Sequence, residues 1–84
     1  MDPMDKGADT PIRLDLRGYR CPAPVIRLEA ALRKAPPGAS VIAVADDPVA
    51  AIDIPHFCRE AARPVRRLAD EGGAAVFLVG PPAP

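Results

Sequence analysis

At 84 residues with eleven basic and eleven acidic side chains, the chain has room for one domain and no net charge. That balance gives no ground for direct nucleic-acid binding. With one Tyr, two Phe and no Trp, the core must be built from Val, Ile, Leu and Ala, enough for a two-layer α/β packing.

Residues 1–10 are polar and lack periodicity, so they are expected to form a disordered N-terminal segment ahead of a domain over 11–80. Ile12-Arg13-Leu14-Asp15-Leu16 alternates apolar and charged residues, the pattern of a half-buried strand. Gly18 supplies the backbone freedom for a corner. A helix is predicted from about Pro22 or Pro24 to Lys34, because proline is tolerated in a first turn whose N–H groups lack partners. Val25, Leu28, Ala31, Leu32 and Ala35 share one face of it, and Pro36-Pro37-Gly38 ends it.

Ser40 to Ala45 is nearly all apolar, as expected of a central strand. Asp47 can cap a short helical turn with Pro48 at its first position. Pro55 is expected to interrupt that helix, with Asp53 capping a second start that runs to about Ala62. Ile54, Phe57, Cys58 and Ala61 would then face the sheet. Val65–Ala69 and Ala74–Val79 read as strands around an Asp70-Glu71-Gly72-Gly73 turn, and residues 81–84 as a loose tail. The predicted order is β-α-β-α-β-β: an α+β two-layer sandwich, with two helices packed on one face of a four-stranded mixed sheet. No run spans a membrane, no secretory segment opens the chain, and two widely spaced cysteines suit a reducing compartment, so the expected location is cytoplasmic.

Charge is uneven along the chain. Residues 11–34 hold six basic groups (Arg13, Arg17, Arg20, Arg27, Arg33, Lys34) against Asp15 and Glu29. Cys21 lies inside this sector, in Gly18-Tyr19-Arg20-Cys21-Pro22-Ala23-Pro24, where a strand meets a helix. A thiol at a helix N-terminus, with Arg17 and Arg20 nearby, is expected to favour the nucleophilic thiolate. Pro22 and Pro24 make the corner stiff, and they remove two N–H groups that a phosphate cradle would need. The pattern is not Cys-x-x-Cys, so a local resolving thiol is missing. A lone activated thiol suits attack on a persulfide or disulfide, followed by carriage of the acquired sulfur.

Cys58 falls on an apolar helix stripe and reads as a packing residue. The set Cys21, His56 and Cys58 makes a poor metal site, since His56 and Cys58 point to different helix faces. No metal and no cofactor are expected. Asp46 has no role that capping explains.

Together, Asp15-Leu16-Arg17-Gly18-Tyr19-Arg20-Cys21-Pro22-Ala23-Pro24, Pro37-Gly38, Ala45-Asp46-Asp47-Pro48 and Asp53-Ile54-Pro55-His56-Phe57-Cys58 resemble the TusA/SirA family of small sulfur carriers over residues 12–79. The resemblance implies the two-layer fold and a persulfide on Cys21. It implies a protein sulfur donor, a cysteine desulfurase or rhodanese-like protein, and a protein acceptor in tRNA thiolation, molybdenum-cofactor enzyme maturation or sulfur metabolism. By position it puts Asp47 and the first-helix surface, with Arg27, at the partner contact. The chain departs from many relatives at Glu29 and Ala30, where they carry basic residues, and at Tyr19, where an aliphatic residue is usual. Two other readings share these residues: a non-catalytic regulatory or interaction module, and a thiol redox protein pairing Cys21 with Cys58.

Overall fold

The computed structural model describes residues 11–81. The expected lead-in over 1–10 and the tail residues 82–84 lie outside the described residues. The elements are β1 (Ile12–Asp15), α1 (Ala23–Lys34), β2 (Val41–Ala45), α2 (Pro48–Glu60), β3 (Val65–Glu71) and β4 (Ala74–Val79). They follow the predicted order.

The four strands form one mixed sheet in the order β1-β2-β4-β3. β1 runs parallel to β2 with Ile12 opposite Val41 and Asp15 opposite Val44. β4 is antiparallel to β2, with Ala43 opposite Phe77, and antiparallel to β3, with Val65 opposite Val79. The β3–β4 ladder carries an irregularity between Leu68 and Glu71, so β3 reaches further than the predicted Ala69 and the turn shrinks to Gly72-Gly73. Both edge strands are rich in charge, which protects the sheet against edge-to-edge pairing.

Alternation in β2 and β4 sends Val41, Ala43, Ala45, Ala75, Phe77 and Val79 towards the helices. There they meet Leu28 and Leu32 of α1 and Ala50, Ile54 and Cys58 of α2. Pro24 is also buried, so the second proline of the corner is a core residue as well as a stiffener. The opposite face buries a smaller cluster of Val44, Ala74 and Val76, with Ile42 and Leu68 beside it. Arg13 on one edge strand and Glu71 on the other form an ion pair, Nη1 to Oε2 at 3.1 Å. Their registers, opposite Ile42 and Ala74, put both residues on this face. The pair and its aliphatic stems span the sheet and explain how Val44 is fully buried without a helix above it.

One expectation fails. α2 is a single helix from Pro48 to Glu60, with Pro55 inside it, and Asp53 caps nothing. Pro55 withholds one N–H from the helix ladder, a cost of about 3 kcal/mol in an ordinary interior. Ala50, Ile54 and Cys58, spaced at four residues and all fully buried, hold the segment helical by packing. The buried stripe therefore starts one turn earlier than predicted, and Ala61 is an exposed C-cap. Ala62 follows in the left-handed region at φ 57°, and the Arg63 N–H donates to the Cys58 carbonyl at 2.8 Å to close the helix.

Candidate functional site: the Cys21 corner

β1 and β2 are parallel, so their C-terminal ends lie together, and each feeds a loop at that end of the sheet. The first loop carries Cys21; the second is Asp46-Asp47. The carboxyl ends of parallel strands are where open α/β sheets place their sites.

The second loop fastens the first. Gly18, at φ 89°, donates its N–H to Asp46 Oδ1 at 3.0 Å. Cys21 donates its N–H to Asp47 Oδ2 at 2.8 Å. The other oxygen of Asp47 accepts from the Val49 N–H at 3.2 Å, the N-cap bond predicted for this residue. One carboxylate thus caps α2 and pins the cysteine. The two N–H groups hold the Asp47 pKa down, that of Cys21 most strongly. Asp46, unassigned by sequence reasoning, is the anchor of the corner glycine.

Cys21 itself is half-buried, packed by one side against the core and open on the other. The Cys21–Pro22 peptide bond is cis, and Pro22 is the exposed N-cap of α1. The thiol environment differs in sign from the sequence expectation. Burial, then the carboxylates of Asp53 and Asp47, push the Cys21 pKa up from 9.0 to about 11. The expected thiolate support from Arg17 and Arg20 is not what the geometry provides. Arg17 is engaged by Asp15, Nε to Oδ1 and Nη2 to Oδ2 both at 2.9 Å. That pairing drives Asp15 down to about 2. Arg20 is exposed, and its charge acts on Asp47. The helix mouth has little to offer the sulfur either: Pro22 and Pro24 bring no N–H, and the Ala23 N–H donates to the Arg20 carbonyl at 2.9 Å.

Sequence reasoning gave Asp53 only a capping role; its carboxylate, on another element, is among the groups that push the Cys21 pKa up, and no local spacing encodes that. Arg27 is exposed on α1 and lies 4.2 Å from the Tyr19 ring centroid, a cation–π contact that gives the unusual Tyr19 a place. Asp47, expected at a partner contact, is only 7% exposed and works from inside the corner instead.

Cys58 is fully buried in the core, and burial raises its pKa. Both cysteines are free thiols. Among the described residues no group of three or more His, Cys, Asp or Glu side chains is placed to hold a metal ion. Nor is any helix among them long and apolar enough to cross a membrane.

The family model described as sulfurtransferase TusA matches residues 12–80, which takes in every strand, both helices and the corner. The chain belongs to the TusA family. Members of this family act as sulfur carriers with protein partners. The TusA fold is also seen in the crystal structure of a SirA-like protein from Desulfitobacterium hafniense, with a TM-score of 0.75 over 86% of this chain and 99% of that one. At 20% identity that likeness concerns the fold alone. It agrees with the two helices on one face of a four-stranded mixed sheet described above.

Proposed function

We propose that this TusA-family chain carries sulfane sulfur as a persulfide on Cys21, between a protein donor and a protein acceptor. The observation that supports this most is the unequal setting of its two thiols. Cys21 reaches the surface from a loop tied down by Asp46 and Asp47, while Cys58 is sealed in the core.

Loading exchanges one sulfur–sulfur bond for another. Cys21 Sγ attacks the outer sulfur of the donor persulfide, a bond forms between them, and the donor's own Sγ leaves as a thiol carrying the proton given up by Cys21. No external oxidant or reductant enters. Unloading is the same exchange, with the acceptor thiol as attacker and Cys21 as leaving group.

Donors of cysteine desulfurase or rhodanese-like type suit the role, and the acceptor belongs to tRNA thiolation, molybdenum-cofactor enzyme maturation or sulfur metabolism. The work is placed in the cytoplasm, where thiols stay reduced. Pro22 and Pro24 keep the corner stiff. Three large apolar side chains are exposed on the two helices that follow the corner loops: Ile26 on α1, and Val49 and Ile52 on α2, by 59%, 51% and 72%. These residues, with Arg27, suit a protein partner better than a small solute. Two surface grooves among the described residues, one at Pro64, Val65 and Leu78 and one at Leu32, Phe57 and Arg63, are not lined by Cys21.

A relay assay tests the reading. With a desulfurase or rhodanese donor holding radiolabelled sulfane sulfur, label passes to the wild type and to Cys58→Ser, and does not pass to Cys21→Ser. Label on Cys21→Ser at the wild-type level overturns the proposal. A redox pair predicts instead an intramolecular disulfide on mild oxidation, which a fully buried Cys58 disfavours.

A further inference from the structure

We propose that the Tyr19–Arg27 stack is a docking element for a carboxylate of the sulfur-donor protein, with Arg27 as the contact and Tyr19 as the residue that positions it. The proposal rests on the sulfur-carrier reading above and gives its donor a surface chemistry: an acidic side chain set beside an apolar one.

Most of the arginines are already committed. Arg13 is paired with Glu71, Arg17 with Asp15, Arg33 with Glu29 and Arg67 with Asp70. Arg63 donates to the Gly80 carbonyl at 3.4 Å. Arg59 and Arg66 are exposed, but they sit in the last turn of α2 and at the start of β3, at the end of the sheet away from Cys21. Near the corner that leaves Arg20, whose charge acts on the buried Asp47, and Arg27. Arg27 is exposed and has no carboxylate partner among the described residues. Its guanidinium lies over the Tyr19 ring, 4.2 Å from the centroid.

That contact joins two elements. Tyr19 is half-buried in the loop between β1 and α1, two residues before Cys21, and Arg27 belongs to the second turn of α1. The Ile26 N–H donates to the Pro22 carbonyl at 3.1 Å, so residues 26 and 27 stand one helical turn from the corner. An arginine packed on an aromatic face gives up side-chain freedom before it binds, while the N–H groups along its edge stay open to a carboxylate. Docking then costs less entropy than it does for a free side chain. Ile26, adjacent and 59% exposed, adds apolar surface beside the charge. Glu29, two residues further on, is taken by Arg33 at 3.5 Å and leaves Arg27 to an anion from outside.

A small anion finds little else here. The Gly18 and Cys21 N–H groups are spent on Asp46 and Asp47, the Ala23 N–H on the Arg20 carbonyl, and Pro22 and Pro24 have none. One guanidinium on an open surface holds a small anion weakly, whereas a protein surface brings its carboxylate together with an apolar contact on Ile26.

The test is steady-state transfer of labelled sulfane sulfur from the desulfurase or rhodanese that loads the parent, with KM and kcat for the carrier measured separately at low and high salt. Arg27→Gln raises KM by about threefold to fivefold at low salt and leaves kcat within about twofold. The salt dependence of the parent's KM is reduced in this variant. Arg66→Gln, the same change of charge at the far end of the sheet, keeps the parent's KM. Tyr19→Leu retains the charge and the salt dependence but raises KM by about twofold, and Tyr19→Phe, which keeps the ring, restores it. Loading by glutathione persulfide, which makes no protein contact, is the same in all variants. An Arg27→Gln protein whose KM and salt dependence match the parent's overturns the proposal, as does one whose kcat or loading by glutathione persulfide collapses, since that marks damage to the corner. A parent that gains sulfur from neither protein donors nor glutathione persulfide sinks the carrier reading first, so the two failures are distinct.

Discussion

Asp47 grips Cys21 from 26 positions further along the chain, its Oδ2 accepting the cysteine N–H at 2.8 Å while its Oδ1 caps α2. The reactive corner and the start of the second helix are therefore one mechanical unit. Asp47→Ala is expected to lower the thermal midpoint and to loosen residues 18–21, seen as faster amide exchange at Cys21. Asp47→Asn, with one acceptor oxygen and an amide that cannot accept, recovers part of the stability. Equal stability of wild type and alanine variant would contradict the clamp.

The two cysteines should separate cleanly by access. Under native conditions at pH 8.5, alkylation marks Cys21 slowly and leaves Cys58 unmodified; in denaturant both react at similar rates. Peptide mapping reads the outcome directly. The basis is the full burial of Cys58 against a half-exposed Cys21.

Two left-handed residues predict opposite signs. Gly18 sits at φ 89°, where a side chain is strained, so Gly18→Ala should cost about 1–2 kcal/mol even though an added Cβ meets open space. Ala62, at φ 57° after α2, already bears that strain. Ala62→Gly should therefore stabilise the fold by about 0.5–1 kcal/mol, net of the greater freedom of glycine in the unfolded chain. Denaturant midpoints at constant m-value check both.

Stability should fall at both ends of the pH range. Asp15, drawn to about 2 by the Arg17 hydrogen bonds, and Asp47 and Glu71, lowered by the Cys21 N–H and by Arg13, all bind protons more weakly in the folded state. Their stabilisation is present above the unfolded carboxylate pKa and is lost as pH drops from about 4 towards 2. The thiols act in the opposite sense. Cys21, raised from 9.0 to about 11, favours folding below 9 and gives up that contribution as pH rises through 11. Urea midpoints from pH 2 to pH 11 should trace a plateau with two falling limbs, and Cys21→Ser should flatten the alkaline one.

Most of the fold could be read from local signals. Alternation from Ile12 to Leu16, the apolar run before Asp46, and the Pro and Gly residues between elements marked all four strands and α1, because each signal lies within the element it describes. Pro55 misled for a physical reason: a local rule about a missing N–H competed with the burial of Ala50, Ile54 and Cys58, and packing won. The site divided in the same way. The place of Cys21 between β1 and α1 was legible in contiguous residues. The charge around the thiol was not, because Arg17 is neutralised by its own neighbour Asp15 while Asp53 and Asp47 arrive from another element. Counting nearby arginines along the chain gave the wrong sign.

The central claim is that Cys21 holds a second, labile sulfur. Intact-protein mass spectrometry after exposure to a sulfane-sulfur donor measures this directly. The account predicts a gain of one sulfur atom, mapped to Cys21, removed by reductant and unaffected by Cys58→Ser. A protein that stays at its original mass with Cys21 free, or one that takes up sulfur equally well as Cys21→Ser, contradicts it.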